Sequence, residues 1–242
     1  MGLIGMFCSV YHPASNTLIS RAFREKGQAF AVNGIAGSLG IAVSPMLCAW
    51  IASVMGWKSP HILFGILGVA AGSYALSIPR QPVKEDDGKS KPRDTANRGA
   101  FSFLNIVIYY GSAVIVGITY KGIMTFLPAY MGQKVKLGFI QMDEVTIGGT
   151  FATFALLSGA LGQYISGRLL DRYPAERIYL GALLIGTFWV FIMAASRNFM
   201  LVIAAVLYSF FYFSTQPTQN YLITRYLPAN RQGLGFGIHF FL

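Results

Sequence analysis

YHPASNTLISR, residues 11–21, and TQPTQNYLITR, residues 215–225, carry one pattern twice. Pro13 matches Pro217, Asn16 matches Asn220, Leu18 and Ile19 match Leu222 and Ile223, and Arg21 matches Arg225, with Ser20 opposite Thr224. Every pair is 204 residues apart. Proline, asparagine and arginine do not substitute freely for lipid-facing residues, so the match reads as an internal repeat.

What lies between the two copies sets the size of the repeating unit. Apolar residues make up 54% of the 242 and charged residues only 12%, about half the charge of an ordinary soluble domain. Nearly uncharged runs cover 1–20, 29–57, 60–79, 101–131, 146–167, 178–196 and 198–224, and another opens at Gly233. Each of the seven is near or above the roughly 20 residues that a membrane helix needs. The first copy therefore ends the first helix and the second ends the seventh. The repeating unit has six helices, and six-helix units repeated in parallel are a transporter architecture.

Charge fixes the orientation. Of the Lys and Arg residues, 14 fall in connections on one side, including Arg21, Arg80, Arg168, Arg172, Arg177 and Arg225. The other side holds 4, Lys58, Lys134, Lys136 and Arg197. Basic loops stay in the cytoplasm, so the first helix runs inward. The net charge of +10 is thereby explained by topology, and no nucleic-acid partner is expected. Residues 1–10 lack the basic start of a cleaved leader. Cys8 and Cys48 lie inside apolar runs, which supports neither a disulfide nor a metal site.

Residues 79–99, PRQPVKEDDGKSKPRDTANRG, are dense in charge and proline and read as a linker. The expected organisation is residues 1–79 as the remainder of a first helix bundle with three spans, 80–100 as a cytoplasmic central linker, and 101–242 as a second bundle with four spans and the start of a fifth.

Residues 167–177, GRLLDRYPAER, supply Gly167, Arg168, Asp171, Arg172 and Arg177. This stretch resembles the cytoplasmic loop signature of the major facilitator superfamily, with Pro174 near the place of the second glycine. The resemblance implies an all-α polytopic membrane protein of two pseudo-symmetric halves. It makes the first helix here the fourth of twelve, so that the chain is expected to be incomplete. In this reading Asp171 works as a gate latch, pairing with an arginine or a helix N-terminus across the cytoplasmic side. Residues 31–49, AVNGIAGSLGIAVSPMLCA, resemble the glycine-and-proline motif of exporters in that family, with Gly40, Ser44 and Pro45 among its positions. YHPA at 11–14 and TFLPAYM at 125–131 look like the fosmidomycin-resistance type. Efflux by an antiporter is the direction these motifs imply.

Polar side chains within spans mark candidate cavity walls. Lys121 shares a helical face with Tyr110 and Thr125 and would attract an anionic solute; snorkelling to the outer surface is the alternative. His12, beside Tyr11, falls opposite Gln216 in the repeat. Tyr208, Tyr212, Thr215 and Gln219 form a strip suited to an amphipathic ligand. All nine acidic residues lie in connections or at helix ends, so a coupling proton would need His12 or a group outside these helices. His12, His61 and His239 are scattered, with no nucleophile or metal-ligand pattern beside them. Neither an enzyme nor a cofactor is expected. A receptor-like or truncated bundle without transport is the rival. The favoured expectation is a monomeric multi-pass protein of the cytoplasmic membrane, moving a small organic solute by alternating access, with proton coupling in view.

Overall fold

The computed structural model describes residues 2–23, 25–78, 103–136 and 142–241, with side chains from Val10 onward in the first helix and from Leu104 in the fourth. The expected linker at 80–100 lies outside these residues. Among the described residues eight α-helices run in chain order: α1 (Gly2–Ala22), α2 (Lys26–Met55), α3 (Ser59–Leu76), α4 (Phe103–Lys134), α5 (Glu144–Leu170), α6 (Ala175–Ala195), α7 (Asn198–Tyr226) and α8 (Gln232–Phe241). Among the described residues there are no strands. Lipid offers backbone groups no partner, so an apolar chain spans it by bonding within each helix. Six helices, α2 to α7, are long and apolar enough to cross a membrane. α1 equals α6 in length, and its second half carries His12, Ser15, Asn16, Thr17 and Ser20. The chain is an all-helical, multi-pass membrane bundle.

α5 is the pillar. It packs on α2, α7 and α4, and glycines let each neighbour reach its backbone. A Cβ at Gly167 would collide with the Ala31 methyl of α2, and one at Gly27 would stand 2.8 Å from the Gly167 carbonyl. Toward the other end of the same pair, a Cβ at Gly149 would lie 2.6 Å from the Pro45 carbonyl. On another side of α5, a Cβ at Gly162 would run into the Phe210 carbonyl of α7. Helices in lipid gain nothing from hiding apolar surface, so this closeness supplies the packing that holds them. Two hydrogen bonds join α2 to α5 as well, from Met46 N to Thr153 Oγ1 at 3.2 Å and from Trp50 Nε1 to Thr150 Oγ1 at 3.3 Å.

The ends of the helices follow local rules. Asp143 caps α5, accepting from the N–H groups of Val145 and Thr146 at 3.0 Å and from Thr146 Oγ1 at 2.6 Å. Gly56 turns α2 into α3 with a φ of 85°, a conformation that a side chain resists.

The α2–α5 contact sets a stability prediction. Gly167→Val should destabilise the purified protein by about 1–3 kcal/mol through overpacking, read as a lower thermal midpoint in detergent. Gly37→Ala, where nothing lies within 4 Å of the added methyl, should leave the midpoint unchanged or raise it.

Candidate functional site where α1, α2 and α7 meet

The repeat mates touch. Asn16 Nδ2 of α1 donates to Asn220 Oδ1 of α7 at 3.2 Å, across 204 residues of sequence, and both side chains are buried. A half-turn relating the two copies of the sequence pattern would place such a pair at its axis. Asn33 of α2 donates to Asn16 Oδ1 at 3.4 Å, and the Tyr11 hydroxyl donates to Asn33 Oδ1 at 3.4 Å. A string of uncharged polar groups therefore crosses from α1 and α2 into α7. Beside it Gln163 of α5 donates to Gln216 Oε1 of α7 at 2.7 Å. Gln163 is fully buried, and its own Oε1 has no partner.

Arg21 and Arg225 close the two copies at the helix ends, five residues beyond the asparagines. At a rise of about 1.5 Å per residue, the asparagine joint sits about 8 Å in from that end. Nearer the surface, Arg225 pairs with Glu176 at 3.2 Å, and the Tyr226 hydroxyl donates to the same carboxylate at 3.0 Å. Asp171 follows the last residue of α5, and its carboxylate lies against Gly27 in the first turn of α2, at the positive end of the helix dipole. Burial against α2 and then the charge of Glu25 push its carboxyl above the usual carboxylate value. Of the remaining residues in this stretch, Gly167 packs on Ala31, and Arg168 lies over the Tyr164 ring at 4.7 Å. Arg172 and Arg177 are exposed.

A cavity of about 250 Å³ lies between α4, α6 and α7. Tyr208, Tyr212 and Thr215 border it, with Ser112 and Thr119 from α4 and Thr187 from α6. The Tyr208 hydroxyl is buried without a partner. Tyr120 stacks on Tyr212 with centroids 4.6 Å apart, which fixes one wall. The fourth residue of that strip, Gln219, is turned aside to donate to the Tyr179 hydroxyl at 3.1 Å. Tyr110 is engaged elsewhere, donating to the Gly235 carbonyl of α8 at 2.9 Å. Lys121 is exposed on α4 and does not border this cavity. His12, Tyr11 and Gln216 lie at the seam instead. In α2, Ser44 bonds the Gly40 carbonyl at 2.6 Å, Gly40 faces open space, and Pro45 meets Gly149 of α5. Among the described residues no group of His, Cys, Asp and Glu could hold a metal ion.

The all-helical bundle agrees with a comparison of the whole sequence. The profile of the Major Facilitator Superfamily matches residues 1–242. The chain belongs to this family. Within the superfamily it is 23% identical over 202 residues to a protein of Staphylococcus haemolyticus (strain JCSC1435) named as a proline/betaine transporter, covering 78% of this chain and 42% of that one. A protein of Escherichia coli (strain K12) named as an L-galactonate transporter is 26% identical over 163 residues, 61% of this chain and 35% of its own. A protein of Staphylococcus aureus (strain MSSA476), also named as a proline/betaine transporter, is 24% identical over 167 residues, 66% and 34% of the two chains. The chain spans less than half the length of these superfamily relatives. No solved structure matches it.

Two measurements probe the seam. Asn16→Ala and Asn220→Ala should show a coupling energy of about 0.5–1.5 kcal/mol in a double-mutant cycle of unfolding in detergent, the range seen for bonds between membrane helices. The raised carboxyl of Asp171 has the opposite sign from a salt-bridged acid. Its contribution to stability is present at low pH and lost as pH rises through the raised value. Asp171→Asn should therefore melt no lower than the parent at neutral pH, and any gain should vanish below the carboxylate range.

Proposed function

We propose that this chain serves a secondary carrier, which moves a small carboxylate-bearing organic solute across the cytoplasmic membrane by alternating access. The bond between Asn16 and Asn220 carries the reading. A rocking carrier needs two lobes related by a half-turn and a joint that holds yet parts, and a neutral amide pair between membrane helices contributes only about 0.6 kcal/mol. An ion pair sealed in lipid would be far costlier to separate. The contact of Asp171 with the start of α2 serves in this reading as the latch on the cytoplasmic side. Asp171→Asn should slow transport without loss of folded protein.

The solute class follows from chemistry common to the relatives. Proline, betaine and galactonate each carry a carboxylate, and two of the three carry a cationic nitrogen as well. We place such a solute in the cavity between α4, α6 and α7. Tyrosine faces suit a quaternary or secondary ammonium, and the Tyr208 hydroxyl, buried without a partner, suits the carboxylate. Lys121, standing outside that cavity, is not needed to hold an anion. Export remains the direction in which the α2 motif is read, and efflux from loaded vesicles against an opposing proton gradient tests it.

The direct experiment is uptake of labelled glycine betaine, proline and galactonate by proteoliposomes holding the chain. One of the three should be transported with saturation. Tyr208→Phe should then raise the half-saturation concentration about five- to tenfold, the worth of one hydrogen bond. Transport of none of them defeats the carrier reading, and an unaltered half-saturation in the variant moves the solute out of this cavity.

A further inference from the structure

His12 and His239 lie 227 positions apart in the sequence and meet around one ring. His12 of α1 stacks on Phe240, centroids 4.8 Å apart and planes 14° from parallel. His239 of α8 meets the same ring at 5.0 Å and 73°. The hydroxyl of Tyr109 stands 3.1 Å from His239 Nδ1 and 3.3 Å from the backbone carbonyl of Gln219. Tyr110, next along α4, ties α8 down through the Gly235 carbonyl. His12 is nine residues short of Arg21 and His239 seven past the start of α8, which puts both imidazoles about 10–14 Å in from the cytoplasmic end. That is close to the middle of a hydrocarbon layer about 30 Å thick, and deeper than the asparagine joint.

We propose that His12 and His239 form the proton-binding site of this carrier, with Tyr109 as the partner that accommodates both protonation states. The proposal rests on the carrier reading above. The proton bookkeeping is simple. In the neutral form the Tyr109 O–H donates to His239 Nδ1, and the ring keeps its proton on Nε2. A proton arriving at Nδ1 makes that nitrogen a donor to Tyr109 Oη, and the phenol proton swings to the Gln219 carbonyl. Loss of the proton reverses the step, with no other bond changed. A second charge on His12 would face the first across Phe240, and like charges at that range oppose each other. One proton at a time is the consequence.

The surroundings leave this pair as the titratable centre of the seam. Tyr109 and Tyr110 face it from α4, and Tyr11 from α1, where its ring touches His12. Tyr226 of α7 stands behind Tyr109, Tyr179 of α6 neighbours it and takes the Gln219 side chain, and Glu176 is already engaged by Arg225 and by Tyr226 itself. α2 contributes the Phe30 ring against Phe236. The Asn16–Asn220 joint stands on the cytoplasmic side of the pair, and His12 itself is exposed, so parting of that joint would change the surroundings of both imidazoles as α1 moves against α7.

The test uses the purified chain, labelled with 15N-histidine, in lipid nanodiscs. His12 and His239 should titrate as a coupled pair, so that His12→Gln moves the midpoint of His239 and His239→Gln moves that of His12. Tyr109→Phe, which keeps the ring and removes the hydroxyl, should move His239 as well. His61, exposed on α3 beside Trp57, should stay fixed in all three variants. Midpoints identical to the parent overturn the proposal. In proteoliposomes, His239→Gln should abolish accumulation driven by a pH gradient while solute exchange without a gradient persists. Accumulation that survives this change also overturns it. Should the parent exchange no solute at all, the carrier reading fails, and the titrations still decide whether the two histidines share a proton.

Discussion

Every other relation in this molecule depends on how closely α5 is approached by its neighbours. Lipid chains are as apolar as leucine, so nothing drives these helices together except contact itself. Gly149 and Gly167 admit α2, and Gly162 admits α7, each at the distance of a backbone carbonyl. The Gln163–Gln216 bond spans α5 and α7 at that spacing, while α1, which packs on α8 and α2, reaches α7 through the asparagine joint.

From the cytoplasmic end inward, the seam is built in tiers. Charged groups come first, with Asp171 on the start of α2 and Glu176 between Arg225 and Tyr226. Neutral amides follow, from the asparagines to Gln163 and Gln216, with aromatic rings and two imidazoles at about the depth of the second pair. The order obeys the price of burial. Ions remain where water reaches them, the buried amides are hydrogen-bonded, and the groups able to take on a charge reversibly lie well inside. A seam ordered in this way can part without leaving a permanent charge stranded in lipid.

Much of this was legible in the residues before any fold was known. Apolar runs, the lopsided arginines and the doubled Pro-x-x-Asn pattern point to a membrane bundle with a six-helix repeat. Tyr208, Tyr212 and Thr215 keep helical spacing, and so share a wall in the fold. Other features left no such trace. The glycines of α5 look like those of any membrane helix, because which face meets which neighbour is decided by tertiary packing. Gln163 carries no pattern at all. His239 appeared solitary, since its partner Tyr109 is 130 residues distant. Lys121 shows the reverse case, a residue conspicuous in sequence whose charge stands exposed on α4.

The asparagine pair also bears on how such a protein could arise. A contact between unlike residues needs two complementary changes before it yields anything. A contact between equivalent residues needs one, because the same side chain is presented by both partners when a six-helix unit meets its own copy. Asparagine is suited to that role, being donor and acceptor at once. A gene that doubled in length would have found the hinge between its two products already made.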